Sequence, residues 1–396
     1  MIKIILRKNR DESLRRFHPW VFSGAVAEIQ GKPVEGDLVA VHASDGSFLA
    51  YGHYQIGSIA VRVLSFDDSA LRPDFWETML SCALQVRIAA GLQSEETNCY
   101  RLVHGEGDNL PGLIIDYYDG VCVIQAHSVG MFRAKKQISD ALQKVYGESL
   151  KAVYDKSSGT APFKAGLELI DGYMYRRPDF TDDEQVVLEN GHRFIVNWTE
   201  GQKTGFFLDQ RENRHLVAKF SKGRNVLNLF CYTGGFSIYA LSAGAAHVDS
   251  VDSSKKAMMM VDRNVGLNGF DESHHTSFCC DAIDYLRDVP EGKYDLMIVD
   301  PPAFAKHRGA LKNALRAYQR LNAAAISKVA PGGLVFTYSC SQVVDKEAFA
   351  LAVFSAAART GRKVRILDRL NQPYDHSVNI YHPEGEYLKG LLLYVE

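Results

Sequence analysis

The chain lacks the features that mark several large classes of protein. It has seven cysteines in 396 residues, an odd number at low density, with no CxxC pair and no Cys/His spacing suited to zinc. This pattern argues against a secreted disulfide scaffold and for a reducing compartment, and we expect no metal site. No run of about 18 uncharged apolar residues occurs, so we expect no membrane span.

A leader sequence and an excess of charge are also missing. The N-terminal segment MIKIILRK is interrupted by charge and lacks the apolar core and cleavage site of a signal peptide, so we expect a cytoplasmic protein. The chain has 45 basic and 47 acidic residues, a formal net charge of −2. Proteins that coat nucleic acid indiscriminately are usually basic overall, so any nucleic-acid surface here must be local.

What remains is the composition of a globular protein, with 46% apolar and 23% charged residues, and a length that predicts two or three domains. Residues 1–70 hold short β-type runs that predict a small all-β barrel. Residues 71–190 mix helical and strand-like runs and end near a Pro- and Asp-rich linker. From 191 to 396 strands alternate with helices, which indicates an α/β fold with a doubly wound parallel sheet. The last two strands have no helix between them, so we expect them to add antiparallel.

Glycine and acidic residues follow successive strands of this predicted sheet. The first strand ends in the turn FCYTGGF (230–236), where glycines let a ligand approach the backbone. The second strand ends at Asp252, where a carboxylate can accept both hydroxyls of a ribose. The third is followed by Asp281, which could accept a hydrogen bond from an adenine amino group. Either aspartate could instead cap the helix that follows it.

The glycine spacing helps to choose between cofactors. A dinucleotide dehydrogenase also uses a glycine turn and an acid, but it needs a phosphate cradle. The GxGxxG pattern is absent, because Gly234-Gly235 is followed by Phe236-Ser237. S-adenosylmethionine carries no phosphate and fits the turn better, so a nicotinamide-dependent oxidoreductase is disfavoured.

Three motifs give the chain a resemblance to a known family. KTGFFLDQR (203–211), YTGGF (232–236) and DPPAF (300–304) are similar to the class I methyltransferases of the ribosomal RNA large subunit methyltransferase I family, which methylate C5 of cytosine in RNA. HPWVFSG (18–24) resembles that family's N-terminal PUA domain, an RNA-binding barrel. The resemblance covers the whole chain. It implies a PUA domain at 1–70, a central mixed α/β domain at 71–190 and a Rossmann-like methyltransferase domain at 191–396.

The resemblance also implies a cofactor and a partner. S-adenosyl-L-methionine is the expected cofactor and 23S ribosomal RNA of the large subunit the expected partner, with a homodimer left open. The residues expected to bind the cofactor are Phe230, Tyr232, Gly234, Asp252, Ser253, Asp281, Asp300, Thr204 and Arg211.

Cytosine C5 methylation needs a nucleophile, because C5 does not attack a methyl group until a soft nucleophile has added to C6. Cys340, at the end of the fifth predicted strand, matches the position of the family's nucleophile. The other cysteines are expected to pack, the usual role of a buried thiol, although Cys231 lies in the cofactor turn. Asp300 could hydrogen-bond the N3 edge of the base and stabilise charge.

A base must then remove the C5 proton. Some related enzymes carry a second cysteine directly after the proline of the fourth-strand motif, but here that motif is DPPA (300–303). Glu384, in the polar loop HPEGEY (382–387), is our hypothesis for the base, since related uracil-5 enzymes place a glutamate at a similar point. A solvated turn residue is the alternative interpretation.

Basic residues cluster in two places. Residues 301–330 contain six basic and no acidic residues, and residues 1–35 contain seven basic and four acidic ones. Such clusters are typical of phosphate contacts, although many are merely solvated helix faces. The residues expected to contact RNA are Lys306, Arg308, Arg15 and Arg16. Of the aromatics Phe17, Trp20 and Phe22, we expect at least two to pack in the barrel core.

Two alternatives stay open. The enzyme could methylate another base or RNA, such as uracil C5 or transfer RNA, with the same fold and the same cysteine. The chain could also be a non-catalytic RNA-binding or ribosome-assembly protein. The strand-end thiol argues against this second alternative, because a protein that only binds RNA has no need of it.

Overall fold

The computed structural model of the protein describes residues 1–162, 166–305 and 307–396. The chain forms two compact units. The first comprises Met1–Val187, Val196–Leu208 and Tyr374–Gly385, and the second comprises Leu188–Ile195, Asp209–Pro373 and Glu386–Glu396. None of the helices in the described ranges is long and apolar enough to cross a membrane.

The first unit begins with an all-β region, as predicted. Its six-stranded sheet has the order β2-β6-β5-β4-β1-β3. Apolar side chains from its strands, among them Ile4, Val39 and Val61, are fully buried in one cluster. The elements are β1 (Lys3–Leu6), a short helix α1 (Glu12–Arg15), β2 (Trp20–Phe22), β3 (Val26–Gln30), β4 (Leu38–His42), β5 (Phe48–Tyr54) and β6 (Ile59–Ser65).

The mixed α/β region of the same unit has a five-stranded sheet. Its strand order is β11-β10-β9-β8-β7, and Ser128 caps its longest helix by accepting a hydrogen bond from the Met131 amide. The elements are α2 (Phe75–Ala89), β7 (Cys99–His104), β8 (Leu113–Tyr118), β9 (Val121–Ala126), α3 (Val129–Tyr146), β10 (Ala152–Asp155) and β11 (Gly172–Arg176). The segment predicted as a linker, 176–183, contains no helix or strand beyond the end of β11.

The second unit has a seven-stranded sheet with the order β16-β15-β14-β17-β18-β20-β19. The chain enters this unit within a hairpin of β12 (Glu184–Glu189) and β13 (His192–Asn197). The other elements are α4 (Arg211–Ser221), β14 (Asn225–Leu229), α5 (Gly235–Ser242), β15 (His247–Asp252), α6 (Lys255–Leu267), β16 (His275–Cys279), α7 (Ala282–Asp288), β17 (Leu296–Val299), α8 (Leu311–Lys328), β18 (Gly333–Ser339), α9 (Lys346–Thr360), β19 (Val364–Asn371) and β20 (Lys389–Val395).

This topology confirms the predicted α/β fold. β14 to β18 run parallel to one another, while β20 lies antiparallel between β18 and β19. The central strands β17 and β18 are buried along their whole length, as expected for parallel strands covered by helices on both faces. The carboxyl ends of β14, β15, β17 and β18 therefore meet at one edge of the sheet. The order of strands reverses between β14 and β17, and open α/β sheets bind their ligands at such a point.

Sequence patterns located most of the remaining elements to within a few residues but missed five strands and two helices. The strands β2, β3, β7, β11 and β12 and the helices α1 and α4 were not predicted. The connection between β19 and β20 also departs from a simple hairpin, because its residues 374–385 belong to the first unit. Within that unit, the Arg87 guanidinium donates to the Asp375 carbonyl (2.7 Å) and the Asp375 carboxylate accepts from the Arg101 amide (2.9 Å). The three-domain division stays a prediction.

Candidate cofactor and catalytic site

The turn after β14 has an unusual backbone. Phe230, Tyr232 and Gly234 have φ values of 58°, 48° and 82°, in the left-handed region. Gly234 suits this conformation because it has no Cβ, and a Cβ there would lie 3.2 Å from the Val261 side chain. The turn thus brings backbone groups close to the sheet edge, at the start of α5.

Asp252 ties the end of β15 to this turn. One carboxylate oxygen accepts from the Tyr232 amide at 3.0 Å, and the other accepts from the Ser254 amide at 2.9 Å. Each oxygen has a second lone pair. The half-buried carboxylate is therefore held in place and can still accept hydroxyl groups, while Ser253 beside it is exposed.

Asp281 makes the capping contacts that were the alternative interpretation of this residue. One carboxylate oxygen accepts from the amides of Ile283 (2.8 Å) and Asp284 (3.0 Å), at the start of α7. The side chain is exposed. A cap of this kind stabilises a helix by about 1 kcal/mol, and the predicted contact with adenine stays a prediction.

Asp300 follows β17 and is half-buried. Its carboxylate accepts from the Gln210 side-chain amide at 2.9 Å, and the Gln210 oxygen accepts in turn from Asn213 at 2.5 Å. Gln210 was not singled out from sequence, although it lies in the motif 203–211 that carries the family resemblance. This amide orients the carboxylate at the sheet edge.

Cys340 follows β18 and is half-buried. Strands β17 and β18 are adjacent and parallel, with Val299 opposite Thr337, so Asp300 and Cys340 both leave the sheet at the same edge. The two serines that flank the cysteine are fixed through the Tyr318 hydroxyl, which accepts from Ser339 (2.9 Å) and shares a hydrogen bond with Ser341 (3.2 Å).

Thr204 and Arg211, the other predicted cofactor residues, are buried in polar networks of different units. Thr204, in the first unit, donates to the Asp116 carboxylate at 2.5 Å and shares a hydrogen bond with the Tyr118 hydroxyl at 2.9 Å. Arg211, in the second unit, lies 3.3 Å from the Glu189 carboxylate. These contacts give each residue a structural role, and their cofactor roles stay predictions.

Glu384 lies in the first unit, not in the unit that carries Cys340. Its side chain is 56% exposed, and its carboxylate oxygens lie 4.0 Å from His18 Nε2 and 3.9 Å from His382 Nε2. Burial lowers the pKa of His382, whose ring packs against Trp20 at a centroid distance of 4.3 Å. We call these residues the histidine cluster: His18, His382 and Glu384.

The histidine cluster was not predicted, because its residues are far apart in sequence. Its ligand atoms lie within 4.8 Å of one another. Zinc bonds of about 2.0–2.2 Å bring ligand atoms to roughly 3.5 Å or less, so these side chains would have to close around an ion. The geometry therefore does not favour a metal site.

Three of the four predicted RNA contacts lie in the described residues and are exposed, but their surroundings differ. Arg15 and Arg16 form ion pairs with acidic residues one turn away, Asp11 (2.6 Å) and Glu12. Arg308 is exposed directly after the Asp300 loop, and Lys306 lies outside the described residues. The preference for core packing of the aromatics was wrong, since Phe17 lies in a turn with a positive φ and is 48% exposed, and Phe22 is the last residue of β2 and is 45% exposed.

Comparison with known proteins identifies relatives of both the N-terminal β region and the region that carries the sheet-edge site. Residues 175–392 match the family described as S-adenosylmethionine-dependent methyltransferase, and residues 4–66 match the PUA-like domain family. "Ribosomal RNA large subunit methyltransferase I" of Aeromonas hydrophila is 39% identical over 396 residues, covering 98% of each chain. The chain belongs to the ribosomal RNA large subunit methyltransferase I family. The protein of the same name from Shewanella amazonensis is 38% identical, covering 99% of this chain and 98% of its own.

The fold of this family member also has solved counterparts. A crystal structure of the methyltransferase SMU.776 complexed with SAH has a TM-score of 0.84 at 23% identity, covering 100% of both chains. S-adenosylmethionine is the cofactor of the family. The site fits it, because Gly234 gives the turn at 230–236 a left-handed backbone with little space for a Cβ, and the anchored Asp252 carboxylate can still accept hydrogen bonds.

Proposed function

We propose that the protein methylates C5 of cytosine in 23S ribosomal RNA through a covalent bond between Cys340 and C6 of the base. The observation that carries this proposal is the position of Cys340, half-buried at the carboxyl end of β18 beside the strand that ends at Asp300. A methyltransferase acting on a ring nitrogen needs no thiol there. The relatives' name supports ribosomal RNA of the large subunit as the substrate.

In this scheme the side chains divide the work. The Cys340 thiolate forms the S–C6 bond, and the electron density that moves to C5 makes that carbon nucleophilic. Asp300 is oriented by Gln210. Its carboxylate accepts a hydrogen bond from the amino group of cytosine, or its carboxyl group shares a proton with N3 as negative charge develops on the ring. S-adenosylmethionine bound beside Asp252 supplies an electrophilic methyl group. Glu384 is the proposed acceptor of the C5 proton, after which the S–C6 bond breaks and Cys340 is released.

The helix α8 offers a surface for the RNA. Lys312, Arg316 and Arg320 are exposed and spaced four residues apart, so they share one face of the helix. No acidic residue occurs between 301 and 330. An uninterrupted line of cations that begins after the Asp300 loop suits a phosphate backbone.

Trapping tests this proposal. The protein is incubated with S-adenosylmethionine and a large-subunit RNA fragment containing 5-fluorocytidine, whose fluorine cannot leave as a proton would. We expect a covalent protein–RNA adduct that disappears in Cys340→Ala. An adduct with 5-fluorouridine RNA alone would point to uracil, and methylation that survives Cys340→Ala would overturn the covalent mechanism.

A further inference from the structure

A buried lysine lies beneath the loop that carries Cys340. Lys389 is the first residue of β20 and pairs with Ser339, the last residue of β18 and the neighbour of Cys340. Lys389 is only 6% exposed. Lysine is seldom buried to this extent unless its charge is compensated.

The Lys389 ammonium binds the backbone of the cysteine loop. Nζ donates to the carbonyl of Ser341 (2.6 Å) and to the carbonyl of Val344 (2.5 Å), on both sides of the bend that follows Cys340. These bonds use two of its three N–H groups. Among the described residues, no carboxylate lies within ion-pair distance of Nζ, so the polar contacts of the ammonium are those with the two carbonyl dipoles.

A negative charge on Cys340 raises the pKa of the Lys389 ammonium. Burial lowers the pKa of Lys389 to about 8, and the Cys340 thiolate acts in the opposite direction, ahead of the carboxylates Asp345 and Glu386. Lys346, which is paired with Glu386, lowers the pKa of Lys389 slightly. Since electrostatic coupling is reciprocal, an ammonium that the thiolate stabilises must stabilise the thiolate equally.

Two further titratable groups lie near the cysteine: the Asp300 carboxylate, at the same edge of the sheet, and the Tyr318 phenol, which bonds the flanking serines. A negative charge on Asp300 opposes ionisation of the thiol, so the Lys389 ammonium acts against it. Burial raises the pKa of Tyr318, so this hydroxyl stays neutral near pH 7 and contributes hydrogen bonds but no charge. Of the cations Lys389 and Lys346, Lys389 is the buried one. A low dielectric strengthens its effect relative to the half-exposed Lys346.

We propose that Lys389 is a positioning residue for the nucleophile, with an ammonium that fixes the Cys340 loop and holds the thiol as a thiolate. The thiol proton leaves to solvent, and the thiolate is then ready to add to C6. This inference rests on the proposed covalent function, in which a thiolate is the attacking group.

The chain offers a matched control for this lysine. Lys156, in the first unit, also donates from Nζ to two carbonyls, those of Trp198 (2.6 Å) and Gly201 (2.5 Å), and burial lowers its pKa. Lys156→Met removes a comparable carbonyl clamp from the other unit. Any change in Cys340 that both variants share would come from general loosening of the protein.

The test measures alkylation of Cys340 by iodoacetamide from pH 5 to pH 10, with the Cys340 peptide quantified by mass spectrometry and without RNA. In the folded wild-type chain we expect a midpoint at least one pH unit below that of the same peptide in the urea-unfolded chain. Lys389→Met should raise the midpoint by about one unit and slow alkylation at pH 7 about tenfold, while Lys156→Met leaves it unchanged.

Two results would overturn the inference. One is a wild-type midpoint at or above that of the unfolded chain, a comparison that needs no variant and stands even if Lys389→Met fails to fold. The other is a folded Lys389→Met protein with the wild-type midpoint. The assay contains no RNA, so a low midpoint without a 5-fluorocytidine adduct would reject the covalent function while leaving the Lys389–Cys340 coupling in place.

Discussion

Two clusters of polar side chains, one in each unit, are built in different ways. The sheet edge of the second unit carries Asp252, Asp300 and Cys340, each at or next to the carboxyl end of a parallel strand. The histidine cluster of the first unit joins His18 to a segment that returns more than 350 residues later. The position of the first cluster follows from the order of the strands. The position of the second depends on how the segment 374–385 packs within the first unit.

The carboxylates of the two clusters also differ in how firmly they are held. Asp252 accepts from two backbone amides at 2.9–3.0 Å, while Glu384 is 56% exposed and lies 3.9–4.0 Å from the nearest histidine nitrogens. A preorganised carboxylate can act without rearrangement, and a solvated one must first adopt a single position. The same substitution is therefore expected to have different consequences at the two places.

The largest expected effect is that of removing the thiol from the sheet edge. Cys340→Ala should lower the methylation rate on the order of 10⁴-fold, because it removes the thiolate that forms the S–C6 bond in the proposed mechanism. Cys280→Ala is the matched control, since Cys280 follows β16 as Cys340 follows β18 and is also half-buried. Equal losses in single-turnover assays of the two variants would contradict a special role for Cys340.

The next largest effect concerns Glu384. If it is the base, Glu384→Gln should lower kcat about 10²-fold and leave the Kd for S-adenosylmethionine unchanged, because the carboxylate contacts His18 and His382 and not the turn at 230–236 or Asp252. Glu386→Gln, at a half-exposed carboxylate paired with Lys346, is the comparison. Unchanged turnover in Glu384→Gln would leave the histidine cluster without a catalytic role.

A smaller effect separates two aspartates of the sheet edge. Asp252→Ala should weaken S-adenosylmethionine binding about tenfold to hundredfold, the loss of charged hydrogen bonds worth about 1.5–3 kcal/mol. Asp281→Ala should lower stability by about 1 kcal/mol through the lost cap of α7 and weaken binding less. Calorimetric titration and thermal unfolding measure the two quantities. Stronger loss of binding in Asp281→Ala would reverse our ranking of the two carboxylates.

A further prediction is a pH dependence of stability that compares the units directly. Burial lowers the pKa of His53, in the first unit, and of His275, in the second, to about 4. Between pH 6.5 and 4 the unfolded chain therefore binds protons that the folded chain does not. Each histidine should cost up to about 1.4 kcal/mol of stability per unit fall in pH.

Tryptophan fluorescence reports on the first unit, because Trp20, Trp76 and Trp198 all lie there and the second unit contains none. In urea titrations at pH 4.5 and 7, His53→Gln should reduce the pH dependence of the fluorescence transition. His275→Gln should leave that transition unchanged if the units unfold separately. A similar change in both variants would show that the units unfold together.

Much of the fold and part of the site could be predicted from the sequence. Alternating strand and helix patterns place Asp252, Asp300 and Cys340 at strand ends, and parallel strands must end at one edge. The pattern could not show that Asp281 caps α7 or that Gln210 orients Asp300. Those contacts depend on side-chain directions that hydrophobic periodicity does not encode.

The sequence by itself determined the α/β class, the alternation of strands and helices after residue 225, the cofactor turn and the candidate nucleophile, because these depend on local pattern and on the direction of the chain. Only the tertiary structure decided that Glu384 lies beside His18 and His382, and that Lys389 lies beneath the Cys340 loop. The reason is physical. Burial and electrostatic coupling act between groups that are close in space, and packing brings these groups together from segments that share no local signal.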